Sequence, residues 1–307
     1  MIKFNKRSYW YHVIALITVL IWGVTFISTK VLLFHGMTPS EIFICRFLLA
    51  YIAIWFFSWR KVLANNLRDE LLFLAIGMTG GSLYFMFENT ALSYTLASNV
   101  SLIICTAPIL TALVNFLVHR NEKIRSNLIY GSLLAFVGVG LVVYNGGVIL
   151  KLNSLGDLLT ILAALMWAFY SLIIKNLSGK YSTFFITRKV FFYGLLTILP
   201  VFIFQPFSTD FQIITKPTVL FNLLFLGLVA SMLCYIMWNL AAKKLGVMRI
   251  TNYIYFTPLV TLIASAIIID ETITIIALIG SGFILSGVWL AEKGVLTKGS
   301  SENLKRS

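Results

Sequence analysis

The chain has 307 residues, of which 59% are hydrophobic and only 11% charged, and its mean hydropathy is +0.93. Ordinary soluble domains carry about 25% charged residues, so this composition excludes a soluble fold and points to a chain that meets lipid on most of its surface. The net charge of +13 does not imply nucleic acid, because Lys and Arg stand in short clusters between long apolar runs rather than along one folded face. Such clusters orient membrane segments instead. Cys45, Cys105 and Cys234 all fall inside apolar runs, so no disulfide framework is implied.

The first apolar run, 11–33, is too long for the core of a cleavable signal and is read as the first helix. Further runs follow at 41–58, 71–92, 97–118, 127–145, 155–177, 184–204, 218–240, 248–269 and 274–292. Each is long enough to cross a ~30 Å hydrocarbon core at about 1.5 Å per residue, which predicts an all-α integral membrane protein of ten transmembrane helices. With the first residue inside, the clusters Arg60/Lys61/Arg68, Arg120/Lys123/Arg125, Lys175/Lys180, Lys243/Lys244/Arg249 and Lys293 onward all fall on the cytoplasmic side. The opposite side receives Lys30, Lys151 and Lys216. This asymmetry predicts that both termini are cytoplasmic, with residues 293–307 a polar, disordered tail.

The two halves carry matched landmarks. Trp22-Gly-Val-Thr-Phe-Ile-Ser-Thr-Lys30 aligns with Trp167-Ala-Phe-Tyr-Ser-Leu-Ile-Ile-Lys175 at an offset of 145. At an offset of 150, Gly77, Asn89, Ala91 and Pro108 match Gly227, Asn239, Ala241 and Pro258. Gly131 and Gly138 match Gly280 and Gly287 at 149. The predicted repeats are 11–145 and 155–292. Five helices per repeat is an odd number, so the second copy is inverted in the membrane, the architecture of many secondary transporters.

The Trp-Gly-x-x-Phe-x-x-x-Lys run of the first helix, Pro39 with Arg46-Phe47, Ala91-Leu-Ser-Tyr-Thr-Leu-Ala-Ser98, Ala107-Pro108, and the acidic Glu122 and Glu271 together resemble the EamA family of the drug/metabolite transporter superfamily. The resemblance implies a ten-helix exporter or exchanger of small metabolites, often amino acids, in the bacterial inner membrane. The second half departs from the pattern: Lys189 follows Arg188 where Phe47 follows Arg46, and Ala241-Ala-Lys-Lys244 stands where Ala91-Leu-Ser-Tyr94 does.

Trp22 and Trp167 lie about eleven to twelve residues into their helices, near mid-bilayer, whereas belt tryptophans belong at the interfaces. They read either as an aromatic wall of a substrate cavity, joined by Tyr84 and Tyr170, or as packing residues. Pro108 and Pro258 each free the carbonyl four residues earlier, at Ile104 and Ile254, for a substrate or for a simple kink. Glu88 is an acidic residue deep in a span; it reads as a binder of substrate ammonium, as a site of proton coupling, or as a structural counter-ion of Lys30 or Arg46. Lys30, Arg46, Lys175 and Arg188 stand near helix ends, where snorkelling to headgroups gives them a structural role. Asn89, Asn99, Asn115, Asn239 and Asn252 suit bonds to substrate or between helices, and the glycine pairs suit close helix packing.

No phosphate-binding loop, Gly-x-Ser-x-Gly or His-Glu-x-x-His occurs, and His12, His35 and His119 are scattered, so neither cofactor, metal nor enzymatic chemistry is expected. The expectation is an alternating-access carrier, an exporter of a small-molecule substrate, embedded in the lipid bilayer, with protons as candidate partners and no signal for an oligomeric state. Two rivals remain: an integral membrane enzyme acting on lipid or lipid-linked sugar, and a carrier of phosphorylated or nucleotide-linked sugars, which needs several basic residues deep in its cavity. Reporter tags fused at Met1 and at Ser307 are expected to be cytoplasmic and a cysteine at Asn153 to label from outside; a C-terminus found outside would mean an odd helix count.

Overall fold

A computed structural model describes residues 6–59, 62–118, 126–144, 154–268 and 275–303. Every regular element among them is helical. Helix α1 spans Lys6–Phe34, α2 Pro39–Trp55, α3 Leu67–Tyr94, α4 Ala97–Val118 and α5 Ser126–Tyr144. They are followed by α6 (Ser154–Ser178), α7 (Thr183–Phe204), α8 (Pro217–Leu245), α9 (247–268) and α10 (Ile275–Asn303). Six segments within α1, α3, α4, α6, α7 and α8 are long and apolar enough to cross a membrane. Phe34, Phe204, Ile267 and Trp289 are exposed on the outside of the bundle, an arrangement that water penalises and lipid does not. The chain is a multi-pass membrane protein.

Local chemistry fixes the helix ends. Thr38 and Glu41 form a reciprocal capping box at the start of α2, with Thr38 N–H donating to Glu41 Oε2 at 2.8 Å. The same carboxylate accepts from Ser208 N at 2.6 Å and Thr209 N at 2.9 Å, which ties the α7–α8 connection to the α2 N-terminus. Gly246, at φ +90°, ends α8 and turns the chain into α9, a conformation that a Cβ would strain. The segment expected to be a polar tail is helical through Asn303 as a continuation of α10. Glu122, Glu271, His119 and Asn153 lie outside the described residues.

The helices pack in a pattern that repeats between the halves. α3 lies on α6, and α8 on α1; α2 lies on α8, and α7 on α3; α4 lies on α6, and α9 on α1. α2 and α7 pack on each other, as do α5 and α10. Small residues permit the last contact, because a Cβ on Gly138 would lie 2.6 Å from Gly280 O, and one on Gly287 2.6 Å from Gly131 O. Gly140, by contrast, has nothing within 4 Å of its Cβ position. Gly138→Val is therefore expected to cost about 1–3 kcal/mol through overpacking, while Gly140→Ala is neutral. Thermal midpoints in detergent check this, and equal midpoints for both variants would contradict so close an α5–α10 approach.

Candidate functional site

Three helices leave α geometry along their length. α3 contains a π-turn at Met78–Ser82, α8 a π-segment at Phe225–Leu233, and α9 a 3₁₀ stretch at Thr251–Phe256 just before Pro258. α4 breaks at Cys105–Thr106, between Ile104 and Ala107. Such departures release main-chain carbonyls, and inside a bilayer each must be bonded again. Trp22 Nε1 donates to Ala230 O at 3.0 Å, and the Tyr235 hydroxyl donates to Gly80 O. Ile254 O accepts from Thr257 N–H and from Cys105 Sγ at 3.5 Å, so the carbonyl that Pro258 was expected to free for a ligand is already satisfied.

The donors belong to an aromatic cluster. Trp22 meets Trp167 edge-on at 5.2 Å between centroids and Trp238 at 5.0 Å. Tyr84 lies 5.3 Å and Tyr170 5.0 Å from Trp167. Pairs of this kind contribute about 0.5–1.5 kcal/mol each beyond the area they bury. Gly80 is required here, because its Cβ would run into the Tyr170 ring.

Beside the cluster is a narrow, partly open cavity, with about 470 Å³ of space between atoms when its open mouth is included. Trp22, Tyr84, Glu88 and Trp167 line it together with Thr25, Phe26, Arg46, Phe85, Tyr235 and Thr257. Ile104 and Ile254 also line it, with Pro108 and Pro258 one turn further along their helices. Tyr170 does not reach the cavity: it is fully buried behind Trp167, and its hydroxyl donates to Asn239 Oδ1 at 2.7 Å. Asn239 in turn donates to Thr187 Oγ1, and Asn89 donates to Pro39 O, both bonds between helices.

The charges divide differently from the sequence expectation. Lys30 does not snorkel outward; its ammonium donates to Leu92 O at 2.5 Å and Thr95 O at 2.7 Å, capping the C-terminus of α3. Arg46, expected in a structural role near a helix end, is only 2% exposed and lines the cavity. Its Nε donates to Ser231 Oγ at 3.0 Å and its guanidinium carbon lies 4.2 Å from the Phe85 ring centroid. Glu88, 5% exposed, lines the same cavity and interacts electrostatically with Arg46. Arg46 and Tyr235 are among the cavity residues that sequence reasoning missed, with Thr25, Phe26, Phe85 and Thr257; the available signal for Arg46 was that an arginine five residues inside an apolar run is costly without a task. The Trp167 indole nitrogen is buried with no hydrogen-bond partner, a deficit of about 1–3 kcal/mol for an unmet buried donor.

At the far end of α3 from Glu88, Asp69 accepts from Lys180 at 3.0 Å and from the Tyr181 hydroxyl at 2.8 Å. Glu70 pairs with the buried Lys189 and with the Tyr193 hydroxyl.

A lipid-facing helical bundle around a largely apolar cavity with few charged groups is an architecture suited to membrane transport. The EamA-like transporter family model matches residues 9–144 and again 154–292, and the chain belongs to that family, within the drug/metabolite transporter superfamily. An uncharacterized transporter of Archaeoglobus fulgidus is 29% identical, with 91% of this chain and 96% of that protein covered. The "probable amino-acid metabolite efflux pump" of Escherichia coli K12 is 25% identical over 91% of this chain and 93% of its own length. A solved crystal structure with 15% identity superposes with a TM-score of 0.71 over 92% of this chain and 96% of that one, which shows the fold alone.

Gly80→Ala is expected to displace the Tyr170 ring and break its bond to Asn239, lowering the thermal midpoint and altering the near-UV circular dichroism. Adding Tyr170→Leu should recover most of the midpoint, and no recovery would mean that Gly80 matters for the π-turn rather than for the ring.

Proposed function

We propose that the chain is a secondary carrier that exports small amphipathic metabolites, amino acids among them, across the bacterial inner membrane by alternating access. Its two halves, 11–145 and 155–292, form ten transmembrane helices related by a pseudo-two-fold axis in the membrane plane, with residues 293–307 and both termini on the cytoplasmic side. The helix pairings support this reading, since exchanging each helix of one half for its counterpart turns the α3–α6 contact into α8–α1 and the α4–α6 contact into α9–α1. The contact of Gly138 with Gly280 becomes that of Gly287 with Gly131. The double match of one family model supports it as well.

The observation that carries the functional reading is the cavity in which Trp22 of one half meets Trp167 of the other. A site bounded by both halves changes the side to which it opens when they rock against each other. The printed names of relatives in Escherichia coli and Streptantibioticus cattleyicolor, an amino-acid metabolite efflux pump and a terminal-alkyne amino-acid exporter, favour amino acids as cargo. An anionic sugar is disfavoured because Arg46, the cation on the cavity wall, shares that lining with the carboxylate of Glu88. Glu88 is also the candidate for proton coupling, tested by whether Glu88→Gln loses accumulation driven by a pH gradient while retaining exchange.

Uptake of a radiolabelled amino-acid panel into proteoliposomes tests the proposal, and a correctly reconstituted protein that moves none of them would overturn it. Trp22→Ala and Trp167→Ala are each expected to lower transport at least about tenfold in protein that remains monodisperse. Normal transport by both would reduce the rings to packing elements.

A further inference from the structure

We propose that Arg46 and Glu88 act as a matched pair that selects a zwitterion: Arg46, with the indole N–H of Trp167, takes the carboxylate of an α-amino acid, and Glu88 takes its ammonium. The proposal rests on the carrier reading and specifies how its site discriminates.

Three observations converge on it. Arg46 on α2 and Glu88 on α3 line the same cavity, and each is at least nine-tenths buried, so neither charge is solvated by bulk water. They attract each other, yet among the described residues no ion pair within 4.0 Å joins Glu88 to a cation. Opposite charges that line one cavity without forming an ion pair suit a ligand that carries both complements.

The guanidinium is also pre-set for its task. Its Nε is committed to Ser231 and its face to the Phe85 ring, which leaves the terminal nitrogens as its remaining donors, the part suited to a carboxylate. The third observation is a break in the symmetry of the two halves. Trp22 is bonded to Ala230 O, but Gly80 O, the equivalent acceptor for Trp167, is taken by Tyr235. The Trp167 N–H is therefore a buried donor with no protein acceptor, on a ring that lines the cavity.

A cation alone would leave Arg46 uncompensated, and an anion alone would leave Glu88 so. A zwitterion neutralises both and crosses without net charge. Lys30 is not a substitute for Arg46, because its ammonium is bonded to carbonyls of Leu92 and Thr95.

The experiment is competition in proteoliposomes containing the full-length wild-type protein. Each standard amino acid is first tested for counterflow, and the best-carried one is then challenged with itself, with its methyl ester and with its N-acetyl derivative. The ester lacks the carboxylate charge and the N-acetyl compound lacks the ammonium. The free amino acid is expected to compete at concentrations at least about tenfold lower than either derivative. In Glu88→Gln the N-acetyl derivative is expected to become at least as good a competitor as the free amino acid, a reversal that loss of a purely structural group does not produce. If an amino acid is carried but the derivatives compete equally well, the zwitterion pair is wrong and the carrier reading stands. If no amino acid is carried, both fall. Should Glu88→Gln fail to fold, the wild-type competition decides alone.

Discussion

A main-chain N–H or C=O in hydrocarbon has no water to bond, and this constraint organises the centre of the protein. The π-turn of α3, the π-segment of α8 and the 3₁₀ stretch of α9 all release carbonyls where helices from both halves converge. Gly80 O, Ala230 O and Ile254 O are recovered by Tyr235, Trp22 and Cys105 with Thr257. The aromatic residues are thus more than an apolar wall. Two of them hold the irregular backbone in place. Trp22 is consequently tied to α8, and Tyr235 to α3, by bonds that cross between helices far apart in sequence.

The scaffold is nearly symmetric while its chemistry is not. α3 and α8 carry their irregular turns at corresponding places, and α5 and α10 exchange the same glycine contacts in both directions. The polar groups break this equivalence. Glu88 corresponds to Trp238, which is buried in the aromatic cluster, and Trp22 has its acceptor while Trp167 lacks one. A symmetric pair of halves permits two conformations of comparable energy, and an asymmetric site gives the cargo a defined orientation between them.

Helix positions were legible in the sequence because length and hydropathy dominate when lipid is the solvent, so α3, α6 and α8 lie over runs that could be marked by eye. Four of the residues singled out for a binding role, Trp22, Tyr84, Glu88 and Trp167, line one cavity for a related reason: depth in a span follows from counting. Rotation about the helix axis does not. Tyr170 has the right depth but faces away from the cavity toward Asn239, and Arg46 stands near a helix end yet turns inward. Those orientations depend on which neighbour packs on which face, and in particular on Gly80, whose missing side chain admits the Tyr170 ring. The π-turns left no periodic trace either, since an apolar run reads the same with four or five residues to the turn.

A second group of charges lies at the end of α3 far from Glu88. Asp69 and Glu70, at the start of α3, reach Lys180 and Tyr181 in the α6–α7 connection and Lys189 and Tyr193 on α7. These bonds run between the two halves, and each joins a more exposed group to a buried one: Lys180 at 53% to Asp69 at 2%, and Glu70 at 18% to Lys189 at 4%. Breaking a pair with a buried member strands that charge, which is costly. The glycine contacts of α5 with α10 hold by a different means, because any separation there forfeits close packing without gaining hydration. On the alternating-access reading proposed above, parting the Asp69/Glu70 end therefore requires that water or new partners replace what Asp69 and Lys189 lose.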